Sequence, residues 1–217
     1  MLLYSLCGDD CFSIDIVHPL KRASVAQYLR DTNSWLECVE GMRCVVVKFD
    51  AASVDWHAAE ELLSNQLASS TARARLSESV IEIPVCYGGD YGPEFESICE
   101  MFGLTGDELI DIHTSKEHRV DLIGFTPGFA YLSGLDEDLH VPRLSDPRQR
   151  VEAGSIGIAA GLTGVYALAG PGGWPLLGRT PLALFEPDEP QPFLLQTGTH
   201  VRFSAIDDIT FRRMVAP

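Results

Sequence analysis

Apolar and polar positions are spaced differently in the two parts of this chain. Toward the N-terminus, short alternating runs are interleaved with stretches of helical spacing. The apolar start, Met1–Cys7, reads as a strand, and Cys11–Val17 alternates with period two, as a half-buried strand does. Pro19 suits the first position of a helix, with Leu20, Ala23, Ala26 and Leu29 as its buried stripe and Asp31-Thr32-Asn33-Ser34 ending it. Cys44–Phe49 is a β-branched run, and Ser53 is a candidate N-cap for a helix carrying Trp56, Ala59, Leu63 and Leu67. Ser79–Cys86 reads as one more strand. The order β-β-α-β-α-β predicts a small α/β domain over residues 1–86, with helices on one face of a sheet.

Residues 87–116 read as a helical connection. Glu94–Phe102 has helical spacing and Gly103 is a suitable stop. Thr105 and Glu108 have the spacing of a capping box for a short helix ending at His113. From residue 117 the helical period is lost. Short apolar runs at 120–125, 155–160, 165–168, 181–185 and 201–203 are separated by Gly and Pro, which predicts an all-β sandwich or barrel over 117–217. The fold class is α+β.

Composition narrows the function. Hydrophobic residues make up 46% of the 217 positions, enough for a core, and the formal net charge is -15. That balance argues against nucleic acid and against an anionic membrane surface, both of which select for Lys and Arg. No run of about 18 apolar residues occurs, so no membrane span is expected. The start lacks the basic region of a signal peptide, so a cytoplasmic location is expected. Six cysteines, at 7, 11, 38, 44, 86 and 99, include no Cys-x-x-Cys pair. They read as reduced structural thiols, and no metal is expected on this chain.

Candidate chemistry concentrates between Gly124 and Pro181. Five glycine clusters lie there, at 124–129, 154–157, 161–164, 170–174 and 178–181. Glycine lets backbone approach a ligand closely, and it equally serves the corners of a small barrel. From His140 to Pro181, Arg143, Arg148, Arg150 and Arg179 outnumber Asp146 and Glu152, reversing the sign of the chain as a whole. Arginine's planar fork suits a carboxylate or phosphate, although surface arginines also form weak ion pairs. His113 closes the capped helix, a place for a protonated imidazole or a structural cap. Trp174, after two glycines, is a stacking surface or a core plug. No P-loop, dinucleotide fingerprint, Gly-x-Ser-x-Gly elbow or His-Glu-x-x-His motif occurs, which leaves a standard nucleotide site, a triad hydrolase and a zinc enzyme unsupported.

The order of these segments resembles one family. Gly124-Phe-Thr-Pro-Gly-Phe-Ala-Tyr131, Pro142-Arg143, Pro147-Arg148, Ala153-Gly154-Ser155-Ile-Gly157, Thr163-Gly164-Val-Tyr166, Pro171-Gly-Gly-Trp174 and Gly178-Arg-Thr-Pro181 are similar to the family of 5-oxoprolinase B-type subunits. That family is also described as KipI-like, as allophanate hydrolase subunit 1, and as subdomains C and D of a carboxyltransferase domain. Leu6–Asp9, Lys48–Asp50 and Pro84–Gly89 extend the resemblance more loosely into the first half. It implies a small α/β domain followed by a cyclophilin-like β-barrel. It implies a share in the ATP-dependent hydrolysis of 5-oxo-L-proline to L-glutamate, with a C-type (KipA-like) and an A-type (LamB/YcsF-like) subunit as partners. ATP is implied for the complex, at a site on or shared with another subunit, and the isolated chain is expected to be inactive.

Carried onto this sequence, the resemblance implies catalytic roles for His113, Arg148 and Arg179. It implies substrate or anion binding by Arg143, Gly128, Thr163, Gly164, Gly173 and Trp174. Arginines and backbone N–H groups would hold a carboxylate or stabilise developing phosphoryl charge. KipI-like members imply an alternative, inhibition of a sensor histidine kinase. An allophanate hydrolase or urea carboxylase-related activity is another, and would need biotin from a different chain because no Met-Lys-Met motif occurs here. The sequence departs from the family pattern at Glu152, where proline is usual, at Gly170, where serine is, and at His118, where tyrosine is.

Overall fold

The computed structural model describes residues 3–69 and 80–215. The chain forms two compact units, Met1–Leu76 and Ser77–Pro217. Met1, Leu2 and Ser79, which the sequence pattern assigns to strands, lie outside the described residues.

The first unit runs β1 (Tyr4–Cys7), β2 (Cys11–Asp15), α1 (Pro19–Asp31), β3 (Glu37–Glu40), β4 (Cys44–Lys48) and α2 (Trp56–Ser69). Its antiparallel sheet has the order β1-β2-β4-β3. Phe12, Ile14, Val45 and Val47 point to one face and meet Val25, Ala26 and Leu29 of α1 and Ala59 and Leu63 of α2. Both helices thus cover a single face, as period-two strands beside amphipathic helices require. Three details differ from the sequence reading. Arg22 rather than Ala23 turns inward in α1, and its fully buried guanidinium donates to the carbonyls of Met42 (2.7 Å) and Val17 (3.3 Å) and to Glu40 (3.2 Å). Asp55, not Ser53, caps α2: its carboxylate accepts from the N–H groups of His57 (2.9 Å) and Ala58 (3.1 Å), while the Ser53 hydroxyl donates to Asp50. Finally, β3 is an edge strand with glutamate at both ends, and so carries little apolar signal.

The second unit contains β5 (Val80–Tyr87), α3 (Phe95–Phe102), α4 (Gly106–Thr114), β6 (His118–Ile123), β7 (Ala130–Ser133), β8 (Arg148–Val151), β9 (Ser155–Ala159), β10 (Leu162–Val165), β11 (Gly170–Gly172), β12 (Leu176–Arg179), β13 (His200–Ala205) and α5 (Asp208–Val215). Seven of these strands close a barrel in the order β10-β7-β6-β13-β5-β12-β9, and β8 and β11 form a separate two-stranded ribbon. The closed barrel fits the cyclophilin-like expectation and makes the fold α+β.

The sequence pattern places β5 in the first domain. It is instead a barrel strand, parallel to β13 in the register Val80↔His200 to Val85↔Ala205. Ile83 and Val85 of β5 join Ile156, Val165, Val201 and Phe203 in the barrel interior, which is the physical reason for the assignment. The expected all-β C-terminal half also ends in a helix, α5. Of the apolar runs, 181–185 supplies an isolated bridge, Phe185 to Phe193, rather than a strand. Val165 ends β10, so the 165–168 run is mostly not strand either. The capping box at Thr105 is present, with Thr105 and Glu108 each satisfying the other's backbone N–H. Gly103 ends α3 in the left-handed conformation at φ 67°.

Candidate functional site

Strand alternation gives β10 two different faces. Thr163 and Val165 point into the barrel, while Gly164 and Leu162 face outward. β7 pairs with β10 through Thr163↔Leu132 and Gly164↔Tyr131, so its Tyr131 lies on the outer face and Leu132 on the inner one. Chemistry-bearing residues occupy both faces.

On the outer face, aromatic rings surround a pocket of about 300 Å³. Phe129 is its hub. Its ring makes edge-on contacts with Tyr131 (4.7 Å), Tyr166 (4.7 Å), Trp174 (5.7 Å) and Phe125 (5.6 Å). Glycine is required beneath this cluster. A Cβ on Gly164 would stand 2.8 Å from both Phe129 and Trp174, and one on Gly172 would stand 2.4 Å from the Tyr166 hydroxyl. The strands can therefore lie flat against the rings. Arg143 completes the rim, its guanidinium 5.9 Å from the centre of the Trp174 ring, within cation–π range. Leu144 donates its N–H to the Gly173 carbonyl (2.8 Å) and fixes the loop that carries Arg143. Phe125 is 64% exposed at the mouth and has φ 71°, a conformation a bulky residue rarely adopts. Burial pushes the phenols of Tyr131 and Tyr166 up; Arg143 opposes the shift at Tyr131, and the Trp174 backbone N–H, ahead of Arg148 and Arg143, opposes it at Tyr166, so both keep their protons at neutral pH.

On the inner face, a polar chain crosses the barrel core. His113, fully buried on α4, has Nδ1 2.7 Å from the Tyr87 hydroxyl and Nε2 3.2 Å from the Thr163 hydroxyl. The Phe203 ring stacks on it at 4.6 Å. His118 donates from Nε2 to the His113 carbonyl at 3.0 Å, leaving its buried Nδ1 without a partner. Burial, reinforced by His118, drives the His113 pKa well below 6.5. Burial also lowers that of His118. Both imidazoles are neutral at pH 7, so His113 is a hydrogen-bonded barrel component and not the protonated helix cap that its position at a helix end suggests.

The other expected site residues fall into five places. Arg143, Gly173 and Trp174 line the pocket, and Gly164 lies under its rings. Thr163 belongs with His113. Arg148 and Arg179 are held by other parts of the second unit. Arg148 pairs with Glu94, whose second carboxylate oxygen accepts from the Leu176 N–H at 2.9 Å. Arg179 donates to the Ala153 carbonyl at 2.8 Å. Gly128 is a packing position: a Cβ there would stand 2.3 Å from Phe193. Glu152 turns to Arg150 at 2.7 Å and not to the pocket arginine. Sequence reasoning alone does not single out Tyr87, Tyr131 or Tyr166. Tyr131 and Tyr166 end two of the glycine-rich motifs, and that position is the signal available for them. Among the described residues no group of three His, Cys, Asp or Glu side chains is placed to hold a metal ion. No helix among them is long and apolar enough to cross a membrane.

Residues 3–195 match the family model described as carboxyltransferase domain, subdomain C and D. A Bacillus subtilis protein curated as the B-type subunit of 5-oxoprolinase is 39% identical over 184 residues, spanning 80% of this chain and 77% of that protein. The Escherichia coli O157:H7 protein of the same name is 40% identical over 206 residues, spanning 91% of this chain and 93% of that protein. The crystal structure of Kluyveromyces lactis urea carboxylase superposes with a TM-score of 0.73 at 16% identity, covering 99% of this chain and 22% of that one. At that identity the likeness concerns the fold.

Proposed function

Since the chain belongs to the carboxyltransferase domain family of subdomains C and D, we propose that it acts as the B-type subunit of a 5-oxoprolinase. In this reading it takes part in the ATP-driven opening of the 5-oxo-L-proline lactam to L-glutamate, together with C-type and A-type subunits. The observation that carries the reading is the 40% identity to the B-type 5-oxoprolinase subunit of Escherichia coli over 91% of the chain.

The geometry favours a division of labour. The pocket is open and aromatic, so it handles the small cyclic substrate. His113 is wholly buried, so it acts by holding α4, β5 and β10 together through Tyr87 and Thr163. Arg148 serves from behind the pocket wall, because its bond to Glu94 ties β8, and Pro147 in the wall next to it, to the start of α3. Arg179 supports the turn at Ala153 in the same way.

A lactam is a poor electrophile, and ATP would supply its activation by phosphorylating the lactam oxygen. The pocket residues do not suit a triphosphate: a single guanidinium stands at the rim, and the chain has no glycine-rich phosphate loop. In this reading nucleotide binding falls to a site on, or shared with, another subunit.

The test is ATP-dependent glutamate formation from 5-oxo-L-proline by this chain co-expressed with its C-type and A-type partners. Activity that requires all three supports the reading. An inert three-chain assembly overturns it.

A further inference from the structure

Two buried hydrogen-bond donors beside the pocket have no acceptor in the protein, the Tyr166 hydroxyl and Nη1 of Arg148. The Tyr166 side chain is 1% exposed, yet it lines the pocket. A buried donor without an acceptor is costly and uncommon, so its persistence calls for an explanation. Both residues flank Gly172. The Tyr166 hydroxyl stands where a side chain at Gly172 would clash at 2.4 Å, and Arg148 is the register partner of Gly172 across the β8–β11 ribbon. Arg143 and Tyr166 line the same pocket, and so does Pro147, the residue before Arg148. Among the described residues that line the pocket, Arg143 is the one charged side chain, so the pocket presents donors and positive charge without a competing carboxylate.

We propose that this pocket is a carboxylate-binding site, in which the Tyr166 hydroxyl and the Arg143 guanidinium hold one carboxylate while the ring bearing it lies against Phe129 and Trp174. The ligand class is a small five-membered-ring monocarboxylate. A neutral phenol donates one hydrogen bond to a carboxylate oxygen, and the guanidinium supplies charge-assisted bonds to the same group. Gly172, lacking a Cβ, leaves the room that the Tyr166 hydroxyl occupies, so a side chain there would displace this donor. Arg148 is a positioning residue: with Nη2 on Glu94, its Nη1 adds positive potential behind Tyr166. The identification of the ligand as 5-oxo-L-proline rests on the functional reading above, whereas the carboxylate chemistry does not.

The experiment is calorimetric titration of the co-purified three-subunit assembly without ATP, so that nothing turns over. The probes are 5-oxo-L-proline, cyclopentanecarboxylate, which keeps the carboxylate and loses the lactam, and pyrrolidin-2-one, which does the reverse. The two carboxylates are expected to bind and pyrrolidin-2-one to bind at least about tenfold more weakly. Tyr166→Phe is expected to weaken both carboxylates about tenfold and leave pyrrolidin-2-one unchanged, a selectivity that a general loosening of the fold would not produce. Gly172→Ala is expected to abolish carboxylate binding. Carboxylate affinity unchanged in both variants, or equal affinity for all three probes, overturns the proposal.

The two readings fail separately. If the wild-type assembly hydrolyses 5-oxo-L-proline and Tyr166→Phe leaves its KM unaltered, the pocket assignment falls and the subunit assignment stands. If the assembly is inert but binds cyclopentanecarboxylate through Tyr166, the subunit assignment falls and the pocket stands.

Discussion

Replacing His113 with Asn should flatten the acid limb of the stability profile. In the folded protein His113 is fully buried and its pKa lies well below 6.5, and His118 is shifted the same way. In the unfolded chain both titrate near the ordinary value. The unfolded state therefore binds more protons as pH falls, and folding free energy is lost on acidification from about pH 6.5 downward. Each fully suppressed histidine contributes a slope of up to about 1.4 kcal/mol per pH unit, so His113 alone removes about 2 kcal/mol between neutral pH and pH 5. Tyr87 does not share in this, since burial pushes its phenol upward, away from the window. The assay is guanidinium denaturation at pH 7.5, 6.5, 5.5 and 5.0, followed by Trp174 emission. A Trp35→Phe/Trp56→Phe background removes the two tryptophans of the first unit. His113→Asn is expected to be less stable at pH 7.5, where Tyr87 and Thr163 lose their partner, and to lose less on acidification than its parent. Equal losses between pH 7.5 and pH 5.0 in the two proteins would refute the buried neutral histidine.

Three further outcomes are expected. Gly164→Ala inserts a methyl 2.8 Å from Phe129 and Trp174, and should cost about 1–3 kcal/mol while altering the near-ultraviolet circular dichroism of the pocket rings. Glu94→Ala strands Arg148 and the Leu176 N–H together and should cost about 2–3 kcal/mol by denaturant titration, with Glu94→Gln recovering part of it. Thr105→Ala removes the reciprocal cap of α4 and should cost about 1 kcal/mol, without touching the pocket or its ligands.

Local signals are legible wherever a short stretch decides its own structure. The Thr105–Glu108 box and the Gly103 stop depend on backbone groups within a few residues, and the fold contains both. The β2 and β4 alternation holds because one face of that sheet is buried and the other is not. Features set by distant partners are hidden. β5 reads as a strand, but only its pairing with β13 decides which unit it joins. Arg148 and Glu94, 54 positions apart, are an ordinary pair of charges until the chain folds them together. The candidate site shows the same limit in reverse. Thr163 and Gly164 stand side by side in one motif, and alternation sends them to opposite faces of β10. Strand period alone separates the His113 group from the Trp174 group once β10 is recognised as a strand through Gly164.

The parallel seam between β5 and β13 has a consequence for how the second unit is made. Its partners are about 120 residues apart in sequence, and no hairpin can form them. The barrel stays open during synthesis until the β13 segment has left the ribosome. Before then Ile83, Val85, Val120 and Leu132 lack the Val201 and Phe203 side chains that cover them. Closure over so long a loop is slow, and it comes last. The nascent chain therefore carries an unpaired β5 edge and an uncovered apolar interior for most of the time its barrel is being translated, and this is the interval in which aggregation threatens it most.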